Sequence, residues 1–276
     1  VTDTSNVVFV TDFLLSDCAG GAEMVDNYII KSLNLTAIRT RDLKNVDPSK
    51  LYLLSNTFQM LPYMRAIFQI YQNYVVFEHD YKIHPTRQPN LFPNNIIPIQ
   101  ERINYDFYRN ARCVFLQSVD HHQCFIDNEV PGTFKTLHTS LWSKEELDLL
   151  RTLKQVPKTI NKIAIADNPH PAKGTKESIE YCLANNLEYD LIPKMRKEDF
   201  YNTIAKYKGL AYFPKVKESF CRLVVEAKAM LLDVYTGNNF GVTKEPWFHE
   251  LDKDKIIDYL EEGTRKALEE IKKEII

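Results

Sequence analysis

Two carboxylates eight positions apart, Glu218 and Glu226, stand in the segment F-P-K-V-K-E-S-F-C-R-L-V-V-E-A-K-A-M, residues 213–230. The apolar run G-L-A-Y-F at 209–213 reads as a short strand, and Pro214 ends it. Residues 220–232 contain neither Gly nor Pro and close in good helix formers, which predicts a helix. Glu218 then falls in the strand-to-helix turn, with Glu226 about two turns into the helix. At about 1.5 Å per residue the two carboxylates stand roughly 12 Å apart. Between them lie the free N–H groups of the helix start, which suit phosphate oxygens. A carboxylate at each end of an anion site can hold hydroxyl-rich groups on both sides of a diphosphate. That is the layout of a nucleotide-sugar.

A β–α alternation positions these residues. Val7-Val8-Phe9-Val10 reads as a buried parallel strand by its brevity and β-branching. Gly20-Gly21-Ala22-Glu23 follows, then a helical pattern through Leu33; strand, glycine turn and helix start make a generic anion-binding device. Neither G-x-G-x-x-G nor G-x-x-x-x-G-K-[ST] occurs, which excludes a dinucleotide fingerprint and a P-loop. Further strands are predicted at 37–39, 51–54, 74–77, 113–116 and 134–137, with helices at 60–72 and 120–128. Such spacing is that of a doubly wound parallel sheet. Its ligand rim, at the carboxyl ends of the strands, would carry Asp12, Asn56, Glu78, His79 and Ser118.

A helix at 143–153 and the connection 155–161 lead to a second series. It has strands at 162–166, 189–192, the run ending at Phe213, and 233–237, with helices at 175–185 and 198–207. Its first turn, Asp167-Asn168-Pro169-His170-Pro171-Ala172-Lys173-Gly174, places a lysine before a helix start. The expected organisation is an N-terminal domain at 1–153, a smaller one at 154–250, and a C-terminal helix at 251–276 packing across them. On that helix Leu268, Ile271 and Ile275 form one apolar stripe, a packing face.

The E-S-F-C-R-L-V-V-E-A-K-A-M segment resembles the E-G-F-G-x-x-x-x-E-A-M-A signature of family-4 retaining glycosyltransferases with the GT-B fold. Three other landmarks follow in that family's order. G-G-A-E resembles its N-terminal glycine loop, Val75-Val76-Phe77-Glu78-His79-Asp80 its strand end with H-D, and Lys173-Gly174 the close of its G-R-x-x-x-x-K-G loop. The resemblance implies an α/β fold of two Rossmann-like domains with a cleft between them, the second domain small. It implies that Glu218 and His79 face the donor sugar and that Glu226 binds the ribose. Gly20 and Gly21 would lie at the donor phosphates and acceptor. Lys173, Gly174 and the helix start at Phe220, Cys221 and Arg222 would hold the diphosphate.

This sequence departs from the pattern at three places. Asp167-Asn168 stands where the family has Gly-Arg, Cys221 stands for a Gly, and Arg222 for a small or apolar residue. Charge balance then assigns Arg222 as the replacement cation. The second domain, with about four strands, implies a reduced nucleobase pocket.

The implied reaction is transfer of a sugar from a nucleotide-diphosphate sugar, with retention. It needs no cofactor beyond that donor substrate and no metal, because Lys173, the helix amides and Arg222 would stabilise the leaving diphosphate. Asp252-Lys253-Asp254 spells D-x-D, but it precedes a charged helix with no strand in front and is set aside. Zinc needs about four converging ligands; the adjacent His121 and His122, with Cys124, diverge on a helix and are read as structural.

Two rivals remain. One is a non-catalytic nucleotide- or glycan-binding protein of the same fold, favoured by the altered Gly-Arg loop. The other is a transferase acting on modified nucleic-acid bases. That rests on residues 81–112, with prolines at 85, 89, 93 and 98 and with Lys82, Arg87, Arg102, Arg109 and Arg112 interleaved with Tyr105, Phe107 and Tyr108. They read either as a platform for an unidentified acceptor or as a packing loop before a solvated helix, the second reading being taken for Arg109 and Arg112. The net charge of −2 among 276 residues creates no global field for nucleic acid or anionic lipid. The five cysteines are scattered without a C-x-x-C pair, which points to a reducing compartment. With no signal-like or membrane-spanning run, a cytoplasmic location is expected.

Overall fold

A computed structural model describes residues 4–18 and 20–276. The chain divides into two compact units, the first comprising its described residues up to Trp142 with Glu262–Ile276, the second Ser143–Glu261.

In the first unit β1 (Val7–Thr11), β2 (Thr36–Arg39), β3 (Leu51–Leu54), β4 (Tyr74–Phe77), β5 (Val114–Leu116) and β6 (Phe134–Thr136) form one sheet. Every pairing is parallel, in the order β2-β1-β3-β4-β5-β6. The strands are apolar on both faces because both are covered. Phe9, Leu53, Val75, Phe77 and Phe115 pack with Val25 and Ile29 of α1 (Gly21–Ser32) and with Ala267 and Ile271 of the C-terminal helix. Val10, Leu54, Val76 and Val114 pack on the other face with Met64 and Phe68 of α2 (Pro62–Tyr71). Phe107 of α3 (Tyr105–Arg109) and Phe125 of α4 (Val119–Asp127) join them there. The Leu268, Ile271 and Ile275 stripe therefore faces this sheet.

Residues 81–104 form a long connection with three short 3-10 turns. Tyr81, Ile83 and Ile97 are fully buried in it. Arg102 donates from Nε to the Ile97 carbonyl and from Nη1 to the Asn128 carbonyl, each at 2.9 Å. Arg87 pairs with Asp80 at 2.9 Å and lies 4.8 Å over the Phe58 ring. Arg102 thus clamps the connection to the fold, a role that its sequence spacing does not reveal.

The second unit holds β7 (Ile160–Ala166), β8 (Tyr189–Ile192), β9 (Tyr207–Tyr212) and β10 (Asp233–Thr236). They form a parallel sheet in the order β10-β9-β7-β8. α5 (Lys144–Lys154) opens on a capping box in which Ser143 and Glu146 satisfy each other's backbone N–H groups. α6 (Thr175–Ala184), α7 (Lys197–Ile204), α8 (Arg222–Ala229) and α9 (Pro246–Glu250) follow, and α10 (Ile256–Ile275) ends the chain.

Among the element boundaries that differ from the sequence reading, two have a visible cause. α7 stops at Ile204 because Tyr207 is taken into β9, opposite Ile160. α8 begins at Arg222, since Cys221 has φ 79° and ψ 84°, which no right-handed helix accommodates. No helix of the described residues is long and apolar enough to cross a membrane.

Candidate functional site

In the second sheet β8 lies on one side of β7 and β9 on the other. The chain therefore reverses its winding between β7 and β9, the position at which parallel sheets bind ligands. The loop after β7 ends in a 3-10 turn, Pro171–Lys173, and Gly174 caps α6 with φ 68°. A Cβ at Gly174 would overlap the Phe213 carbonyl, which leaves room only for glycine. This backbone contact brings Lys173 to the turn after β9. There Lys173 Nζ donates to Glu218 Oε1 at 3.3 Å.

Glu218 is pinned at both ends. Its N–H donates to the Asn239 carbonyl at 2.8 Å, and its carbonyl accepts from Gly241 N–H at 2.9 Å. The side chain accepts a second hydrogen bond at Oε1 from Tyr212 Oη, at 3.1 Å. Cys221 is buried at the start of α8, and burial, then the Glu218 charge, raises its thiol pKa well above the ordinary value. Burial, then Glu218, likewise raises the Tyr212 phenol. Phe220 is buried and faces Trp247.

Glu226 lies on α8 and is 2 % exposed. Arg222, one turn earlier, donates to its Oε1 from Nε at 3.2 Å and Nη2 at 3.1 Å. Lys197 reaches the same oxygen at 3.4 Å, and Tyr201 donates to Oε2. Glu146 shares both cations, with Arg222 Nη2 at 2.5 Å and Lys197 Nζ at 2.9 Å. Charge balance in the sequence assigned Arg222 to a diphosphate. Its guanidinium instead lies against two carboxylates, which explains why a charge is tolerated at a buried position. Nothing in the sequence pattern marks Glu146 and Lys197 as partners of Glu226, because α5 and α7 are separate elements of the chain.

In the first unit the winding reverses between β1 and β3. His79 is buried there, with Nε2 2.8 Å from Asp26 Oδ1 and Nδ1 3.3 Å from Gln117 Nε2. Asp26 also accepts from Thr11 at 2.9 Å and Ser55 at 2.6 Å. Asp26 was not foreseen, since α1 patterning marks its position only as inward-facing. Asp12 accepts from Thr40 at 2.6 Å and from Gln59 N–H at 2.9 Å, and burial raises its pKa. Glu78 is held by Lys82 and by Tyr108 Oη at 2.6 Å. Gly20 caps α1 beneath the Glu23 side chain, whereas Gly21 has open space where a Cβ would be.

The histidine pair diverges. His121 Nε2 binds the Asp80 carbonyl and His122 Nδ1 binds Thr136, both at 2.8 Å. Burial brings the His121 pKa down to about 3. Asp254 pairs with Lys154 at 2.9 Å, and Lys253 with Asp233 at 3.0 Å.

No protein-family model matches the chain, and no curated protein matches its sequence. Solved structures do match. HepE from Anabaena in complex with UDP superposes with a TM-score of 0.56, covering 97% of this chain and 98% of its own at 13% identity. α,α-Trehalose 6-phosphate synthase from Burkholderia multivorans gives 0.50 at 11% identity, covering 90% of this chain and 72% of its own. The catalytic domain of starch synthase IV from Arabidopsis thaliana, bound to ADP and acarbose, gives 0.50 at 9% identity, covering 98% and 93%. The fold is GT-B. At these identities the likeness concerns the fold alone, with two parallel Rossmann-like sheets of six and four strands. The smaller second sheet is the one expected from the sequence.

Proposed function

We propose that the chain is a glycosyltransferase moving a sugar from a nucleotide-diphosphate sugar to an acceptor, with retention and without a metal. The observation that carries this reading is the meeting of Lys173 and Glu218, from two loops, at the β7–β9 reversal and the start of α8. The diphosphate would lie against Lys173 Nζ and the first N–H groups of α8. These preorganised donors stabilise negative charge as the glycosidic bond to the phosphate breaks. Glu218 would orient the donor and stabilise positive charge on the sugar ring. Glu226 would accept from the ribose hydroxyls once Lys197, 34 % exposed, swings away from it. Arg222 serves as the charged partner that holds Glu226 in place, and the phosphate cation is Lys173. His79 is retained as a group for a hydroxyl-bearing substrate on the first unit's rim. HepE is described with UDP, and that donor class is the first to test.

A second reading, nucleotide binding without turnover, is favoured by the absence of an arginine at Asp167-Asn168 and by the occupied state of Glu226. Release of nucleoside diphosphate from UDP-, ADP- and GDP-glucose separates the two. Transfer predicts hydrolysis of at least one donor, lost in Glu218→Ala and Lys173→Ala. Binding without hydrolysis supports the second reading, and neither binding nor hydrolysis of any of the three rejects both.

A further inference from the structure

The second unit holds a cavity of about 660 Å³ along β10, the outer strand of its sheet. That volume suits a small molecule. Residues 233–237 supply strand backbone to the lining. Because β10 is an edge strand, the backbone N–H groups on its outer side have no ladder partner. The rest of the lining comes from the last turn of α8 and from residues 243–253, and it carries Lys228, Lys244, His249 and Lys253. Among the described residues Asp233 is the one carboxylate of this lining, and Lys253 pairs with it at 3.0 Å.

Lys228 decides the character of the cavity. It is half-buried, its Nζ lies 4.3 Å from the centre of the Phe248 ring, and it donates to the Phe248 carbonyl. Among the described residues no carboxylate pairs with it. Burial, then the Lys253 charge, lowers its pKa. A partly desolvated ammonium beside a second one, without a counter-charge of its own, carries a cost that a bound anion offsets.

We propose that this cavity is a second anion site, taking a small phosphate-bearing molecule. The phosphate would lie among the ammonium groups of Lys228, Lys244 and Lys253, which hold it as point charges. The outer N–H groups of β10, with the Asn238 and Thr243 side chains, can meet hydroxyls on the rest of the molecule. Lys228 stands in the last turn of α8, whereas the diphosphate of the donor would use the first N–H groups of that helix and Lys173. The two sites are therefore independent.

Acetylation of the full chain with acetic anhydride, read by peptide mass spectrometry, locates the site. The ligands are inorganic phosphate and glycerol 3-phosphate, with glycerol as the uncharged control. Both phosphate ligands should slow acetylation of Lys228 and Lys253, and glycerol should not. Lys255 and Lys266, exposed and outside the cavity, should react at an unchanged rate. The protection should persist in Lys173→Ala. Protection by neither phosphate ligand, equal slowing at Lys255 and Lys266, equal protection by glycerol, or protection lost in Lys173→Ala overturns the proposal.

Titration calorimetry with glycerol 3-phosphate adds an affinity. Lys228→Met with Lys253→Met should weaken binding about tenfold or more, the loss of charge-assisted contacts to phosphate. Lys255→Met with Lys266→Met removes the same net charge elsewhere and should stay within about twofold. Equal affinity in the two double variants overturns the proposal. The acetylation experiment uses the wild-type cavity, so it decides the question even if the cavity variant fails to fold. Neither measurement uses turnover, so failure of the donor reading leaves both results standing.

Discussion

Gly174 is pressed against the Phe213 carbonyl, and this contact, with the Lys215 N–H donating to the Ala172 carbonyl at 3.0 Å, joins the two loops that carry Lys173 and Glu218. Its φ of 68° is the left-handed conformation. Gly174→Ala should therefore destabilise the protein by more than the ~1–2 kcal/mol of that conformation alone, since the methyl group must also push the loops apart. Lys173 should lose its register with Glu218 at the same time. Urea unfolding together with diphosphate affinity checks this. Full stability with unaltered affinity would show that the loops tolerate separation.

Arg222 and Glu226 form a buried pair within a balanced cluster that also holds Glu146 and Lys197, so removing either partner leaves the buried cluster with unbalanced charge. Arg222→Met should cost roughly 3–5 kcal/mol, the usual penalty for breaking such a pair. Replacing both, by Arg222→Met with Glu226→Leu, should cost less than the sum of the singles. A double-mutant cycle by urea denaturation measures the coupling. Additive losses would mean that the pair contributes nothing as a pair.

Acid should undo the same cluster. Burial raises the Glu146 pKa, but Arg222 and Lys197 outweigh it and hold the carboxyl below its ordinary 4.5. A folded pKa below the unfolded one gives stability that is complete above pH 4.5 and is lost as pH falls through the depressed value. Glu146→Gln keeps a residue compatible with the capping box but removes the charge. It should be less stable than wild type at pH 7, with a shallower loss between pH 5 and 3. Parallel stability curves for the two proteins would contradict this.

The sequence made the sheets legible because parallel strands buried on both faces read as short apolar runs, as in Val7-Val8-Phe9-Val10. Lys173 and Glu218 were legible as loop residues for a related reason: each follows a strand in a loop where Gly174 or Pro214 breaks the periodicity. The partners were not. Tyr212 reads as one more strand aromatic, and its hydroxyl gains meaning only from the turn that brings Glu218 back over it. Glu146 and Lys197 lie 80 and 29 residues before Glu226, and no pattern links them. The arginines of residues 81–112 suggested an outward platform. Arg102 is turned inward by carbonyl groups from Ile97 and Asn128, acceptors that carry no sequence signature.

If Lys173 and the α8 amides neutralise the diphosphate, a chelator should leave donor hydrolysis unchanged. Hydrolysis measured with and without EDTA, then with added manganese, checks this. Activity lost to EDTA and restored by manganese would assign the phosphates to a cation and reopen the role of Asp252 and Asp254.

The central claim is that the β7–β9 reversal binds the diphosphate of a nucleotide-sugar. Titration calorimetry with UDP, ADP and GDP on wild type and Lys173→Ala tests it most directly. The account predicts that at least one diphosphate binds and that Lys173→Ala weakens it about tenfold or more, the loss of a charge-assisted contact to phosphate. Absence of binding by all three, or equal affinity in wild type and Lys173→Ala, would contradict it.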